Sequence, residues 1–97
     1  MPKTRTKRWD AASSLRTEAE MAAYLEAALA DGDPRLVTAA LGDIARAQGM
    51  TAVARRSGLG RESLYKALSR DGNPELATVL RVVAALGIEL HAVPVER

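Results

Sequence analysis

Two tetrapeptides punctuate the chain in the same way: Asp31-Gly32-Asp33-Pro34 and, later, Asp71-Gly72-Asn73-Pro74. In each, glycine is free to take the left-handed conformation that closes a helix or turn. The following Asp or Asn can cap a new helix, and proline fits a first turn, where its missing N–H is no loss. Further glycines stand at positions 49, 58, 60 and 87. A chain cut this often folds as a series of short helices that must bury their apolar stripes against one another.

Apolar spacing fills the segments between those marks. Thr17 opens a first helix, with Glu20 at capping-box distance and Met21, Tyr24, Leu25, Ala28 and Leu29 on one stripe. A second helix runs from Asp33-Pro34 to Gly49, with Leu36, Val37, Ala40, Leu41, Ile44 and Gln48 on one face. Gly42 sits mid-helix, where close approach of another helix would explain it. Thr51 is expected to cap a short third helix holding Val53 and Ala54, and a fourth runs from about Arg61 to Ser69. The fifth follows Asn73-Pro74, with Leu76, Val79, Leu80, Val83 and Leu86 inward. Residues 88–93 place Ile88, Leu90 and Ala92 on one side at period two, the pattern of a short strand that Pro94 ends.

At 97 residues with 47% hydrophobic content, one folded domain is the natural reading. With no Phe, one Trp and two Tyr, its core must be aliphatic. A domain so small is often completed by a partner or a second copy. There is no cysteine, hence no disulfide and no thiolate metal site. No apolar run reaches membrane-spanning length, and the basic N-terminus lacks the apolar stretch of a secretory signal. A soluble cytoplasmic protein without membrane association is expected.

Charge is uneven. Residues 1–16 carry five Lys or Arg against one Asp, residues 17–49 two bases against six acids, and residues 50–72 five bases against two acids. Residues 1–16 read as a basic arm and 17–97 as the domain. Basic blocks flanking an acidic one suit a polyanion-facing surface plus a separate surface turned elsewhere.

The segment 51–69 supplies what a helix-turn-helix needs. Ala54 is small where a second helix can cross, Gly58 tolerates positive φ in the turn, and Val53, Leu59 and Leu64 can lock the pair. A second helix so held can lie in the major groove of DNA. Arg61, Glu62, Ser63 and Tyr65 are then the expected base-reading residues, and Arg55, Arg56, Lys66 and Arg70 the phosphate contacts.

The chain also resembles the addiction-module antidote family, HigA-type antitoxins with a helix-turn-helix of the XRE class. The resemblance covers about residues 10–93. It rests on the run Ala22 to Leu29, on Ala39 to Met50, on Gly58 to Ser69, and on Gly72-Asn73-Pro74 with Thr78-Val79-Leu80. It implies an all-α, five-helix bundle of the lambda-repressor-like type, here with a short C-terminal β-strand. It further implies a homodimer that binds double-stranded operator DNA, represses its own operon, and neutralises a cognate RelE/ParE-like toxin. One departure is Gly60, where relatives usually have Ser; Gly is a poorer cap for the recognition helix.

Other features point less sharply. Toxin contacts are expected within residues 1–30, at Trp9, Glu18, Glu20 and Glu26, because such toxins are expected to be basic. The acids serve equally well to keep the first helix soluble, and Trp9 is either a lid on the domain or an anchor in a partner. The strand edge can pair with a second copy, the N-terminal segment or the toxin. His91, the one histidine, has no nucleophile–base–orienter set around it, so no catalytic residues, cofactor or metal are expected and the chain is not read as an enzyme. The alternatives are a stand-alone prophage-type XRE transcriptional regulator without a toxin, and a protein-interaction module whose basic helix meets an acidic partner.

Overall fold

Helix punctuation is obeyed first at Thr17. Its hydroxyl accepts from the Glu20 N–H at 3.1 Å, and the Glu20 carboxylate accepts from the Thr17 N–H at 3.0 Å, completing the capping box. In the computed structural model, which describes residues 15–96, α1 spans Glu18–Asp31 and closes on Gly32. Helix α2, Pro34–Gln48, starts behind Asp33, whose carboxylate accepts from the Arg35 N–H at 2.9 Å. Then follow α3, Met50–Ser57; α4, Arg61–Ala67; and α5, Leu76–Ala85. The described residues are thus all-helical, with five helices.

The helices pack as α1 on α2, α2 on α3, and α3 on both α4 and α5. The seam holds Leu25, Leu41, Ile44, Val53, Leu64, Val82 and Leu86, all essentially without solvent contact. As the composition required, this core is aliphatic; Tyr24 packs only at its edge. Leu15, assigned from sequence to the arm, is also buried in it. The rest of the arm that precedes it, with Trp9, lies outside the described residues.

Gly42 is buried, and a Cβ built there would stand 3.0 Å from the Leu68 carbonyl oxygen. The close approach inferred from sequence is therefore made by the end of α4, and glycine is what admits it.

Three expectations for α3 and α5 need correction. Thr51 does not cap α3. The helix starts two residues earlier, at buried Met50 with Gly49 in the cap position, because the Gly49 carbonyl already accepts the Val53 N–H at 3.1 Å. Asn73-Pro74 does not open α5, which starts at Leu76 with Glu75 in the cap position and no side-chain cap. Gly72 is held by its N–H to Ser69 O at 2.9 Å, so the chain must first leave the end of α4 before it can wind again. The inner face of α5 is also rotated. Val82, Val83 and Leu86 are buried, whereas Leu76 and Leu80 are exposed, Leu76 at 71%.

Residues 88–93 form no strand among the described residues. A strand is defined by a hydrogen-bonded neighbour, and this segment finds none there. It runs on from the Gly87 turn, with Leu90 and Val93 facing solvent.

Candidate functional site

The second basic block converges on α3, α4 and the turn between them. Ser57 ends α3 buried, its Oγ donating to Ala54 O at 3.2 Å and accepting the Leu59 N–H at 3.3 Å. Gly58 takes φ +77°, and Gly60 precedes α4 in extended conformation without a side-chain cap, as its lack of a hydroxyl predicts. Val53 and Leu64 are both fully buried and Ala54 nearly so, so the two helices are locked where the sequence placed the lock.

Because Leu64 and Leu68 point inward, the rest of α4 is turned out. Arg61, Glu62, Ser63, Tyr65 and Lys66 are all exposed. Arg61 and Tyr65, one helical turn apart, meet: the guanidinium carbon lies 5.5 Å from the Tyr65 ring centroid, and Arg61 Nη2 donates to Tyr65 Oη at 3.4 Å. Arg70 is exposed in the loop after α4, and Arg55 is exposed on α3.

Arg56 is placed differently. Its Nη1 donates to Gln48 Oε1 at 2.9 Å and to Ala85 O at 3.2 Å, while Gln48 Nε2 donates to Leu86 O at 3.2 Å. Arg56 and Gln48 together satisfy carbonyls that the end of α5 would otherwise leave open. A residue expected to serve phosphates thus ties α3 to α2 and α5.

Glu18, Glu20 and Glu26 are exposed on α1. The Glu18 carboxylate lies against Gly87, close to where a Cβ would sit. Glu20 accepts backbone N–H groups from Arg16 at 2.8 Å and Thr17 at 3.0 Å, and these bonds hold its carboxyl below the usual carboxylate range. Glu26 keeps its carboxylate at the surface. His91 lies in the C-terminal segment with its Nε2 3.1 Å from Glu89 Oε1, both side chains in solvent.

One polar cluster was not anticipated. Asp43 is buried, accepting from Tyr24 Oη at 2.6 Å and pairing with Arg46 Nη2 at 3.0 Å. The only signal for it is an acid inside the apolar run Ala39 to Ala45. An acid there must face either solvent or a built partner set. No helix among the described residues is long and apolar enough to cross a membrane.

Comparison with known proteins adds a second line of observation. Residues 5–94 match the family described as "Probable addiction module antidote protein". An uncharacterized protein of Haemophilus influenzae is 47% identical over 85 residues, covering 88% of each chain. No solved structure matches.

Proposed function

The chain belongs to the probable addiction module antidote protein family, and from that premise we propose that it is the antitoxin of a type II toxin–antitoxin pair that also represses its own operon. A toxin partner of some kind goes with the family. The DNA-binding half of the proposal rests on one observation above all. A short helix with Arg61, Glu62, Ser63, Tyr65 and Lys66 exposed is fixed in its rotation by buried Leu64 and Leu68 and aimed by the Gly58 turn. We read the arrangement as a helix-turn-helix of the lambda-repressor type, whose second helix enters the major groove. In this reading Arg61 grips guanine, Glu62 accepts from cytosine, and Arg55, Lys66 and Arg70 neutralise phosphates.

The protein acts as a cytoplasmic homodimer. The exposed Leu76 and Leu80 of α5 and the open segment 88–93 support this, since a second copy would cover the former and complete the latter as a strand. Two-fold symmetry then matches an inverted-repeat operator. A basic RelE/ParE-like toxin meets the acidic side of α1 through Glu18 and Glu26, away from the reading helix. No cofactor and no catalytic role enter this function.

The test is binding of the full chain to duplex DNA from upstream of its own reading frame, measured over a salt series beside a scrambled duplex. Arg61→Ala should lose about 1–3 kcal/mol on the operator and little on the scrambled DNA, whereas Arg55→Ala should weaken both alike. Equal losses for Arg61→Ala on the two duplexes would remove Arg61 from the reading face. Co-expression with the adjacent reading frame, followed by purification on a tag on this chain, tests the toxin. If the neighbour neither co-purifies nor arrests growth when expressed alone, the chain is a stand-alone regulator.

A further inference from the structure

We infer that Tyr65 is a positioning residue for Arg61: the tyrosine ring holds the guanidinium in the pose that reads guanine, and Tyr65 itself reads no base. The inference rests on the proposed DNA reading and deepens it at one residue pair.

Three observations carry it. The Arg61 guanidinium carbon lies 5.5 Å from the Tyr65 ring centroid, within the range of a cation–π contact. Arg61 Nη2 also donates to Tyr65 Oη at 3.4 Å, a long contact that reinforces the same pose. No carboxylate pairs with Arg61 among the described residues, so Tyr65 alone orients it.

Those contacts matter because of where Arg61 sits. It is the first residue of α4, behind a Gly60 that offers no side-chain cap. A long, solvent-exposed arginine there has many rotamers to lose before it can hold a base in two-point contact. The pairing with Tyr65 restricts that freedom in advance. It engages one Nη2 hydrogen, leaving the remaining N–H donors of the planar fork for guanine O6 and N7. Tyr65 is 45% exposed, and its hydroxyl accepts from Arg61 Nη2. A hydroxyl engaged with Arg61 is a poor independent probe of a base edge.

The test starts from a random-sequence duplex pool, from which wild-type full chain selects its preferred site. Affinities are then measured on that duplex and on copies in which each conserved guanine is replaced by 7-deazaguanine, which lacks the N7 acceptor. Wild type should discriminate against one such replacement per half-site, and Arg61→Ala should not discriminate there at all. Tyr65→Ala should lose about two- to fivefold of that discrimination at the same guanine, with every other position unchanged. Tyr65→Phe, which keeps the ring, should retain most of it. The double variant should bind like Arg61→Ala alone, since a residue that acts only through Arg61 has nothing left to contribute. Both side chains are exposed, so the variants should melt with wild type, and a shared melting temperature assigns the changes to recognition.

Full retention of the discrimination in Tyr65→Ala overturns the inference. So does a loss at a different base pair, which would make Tyr65 a reader in its own right. Arg61→Ala that still discriminates overturns it as well, by removing the arginine from the guanine. If wild type selects no duplex, the DNA reading itself falls and takes this inference with it; selection by wild type with an unaltered Tyr65→Ala profile leaves the reading standing and refutes the inference alone.

Discussion

Arg55 and Arg56 are neighbours with the same charge on the same helix, and the structure places them differently. Arg56→Ala removes two hydrogen bonds from one nitrogen, to Gln48 Oε1 at 2.9 Å and to Ala85 O at 3.2 Å. A bond from a charged donor contributes about 1.5–3 kcal/mol in favourable, partly buried settings. The Gln48 bond faces solvent and shares its donor atom with the other, so the two do not sum. A loss of about 1–2.5 kcal/mol follows, which in a domain of this size lowers the melting temperature by about 5–15 °C. Arg55 is exposed and has no side-chain hydrogen bond or ion pair among the described residues. Its removal should change stability by no more than about 0.5 kcal/mol. The assay is thermal unfolding followed by circular dichroism, paired with a salt series on operator DNA. Arg55→Ala should melt like wild type and lower the salt slope by about one. Arg56→Ala should melt early and leave the slope nearer the wild-type value. Arg56→Lys should recover only part of the lost stability, since the lysine stem is one bond shorter and its ammonium falls short of the Nη1 position. If Arg56→Ala melts with wild type and lowers the salt slope as Arg55→Ala does, the tie between α3 and the end of α5 has no energetic weight and the residue is a phosphate contact after all.

Other perturbations probe the scaffold. Tyr24→Phe deletes the donor to the buried Asp43 carboxylate at 2.6 Å and should lower stability by about 1.5–3 kcal/mol, read from the denaturant midpoint; an unchanged midpoint would show the bond to be energetically idle. Gly72→Ala places a Cβ in collision with the Ala67 carbonyl oxygen, so the loop after α4 must move, at about 1–3 kcal/mol, and wild-type stability would mean that the loop yields freely. Glu20 is bound more tightly as a carboxylate in the folded chain, so its folded pKa is depressed and its contribution is present above the ordinary glutamate range. As pH falls through that range toward the lowered folded value the contribution is lost, and the difference in melting temperature between wild type and Glu20→Ala should shrink; a difference that stays constant down to acid pH would contradict the cap.

Local chemistry was the legible part of this fold. The Thr17 capping box, the Asp33-Pro34 start, the αL closures at Gly32 and Gly58 and the close approach at Gly42 depend on a few adjacent residues or on the absence of one Cβ. Each stands in the structure as the sequence predicts. The exposed set on α4 was legible for a related reason. Leu64 and Leu68 are the large aliphatics of a short polar helix, and they leave one choice of inner face. Long-range polar pairing was not legible. Arg56 meets Ala85 across 29 residues and Tyr24 meets Asp43 across 19, and no local pattern marks either partner.

The misread face of α5 has a more specific cause. Leu76, Val79, Leu80, Val82 and Val83 are apolar on more than one side of the helix, so periodicity admits several inner faces of nearly equal quality. The neighbour chooses among them. Helix α3 packs against α5, and Arg56 on α3 reaches the Ala85 carbonyl. These contacts turn Val82, Val83 and Leu86 inward and leave Leu76 and Leu80 outside. A helix that is apolar beyond the width of its buried stripe has surface left for another partner. Leu76 and Leu80 fit the helical period of the expected inner face but lie outside the stripe that one partner, α3, covers. Their exposure is what the same apolar content looks like once that partner has taken its share, and it is why a second copy is sought on this side rather than against α1.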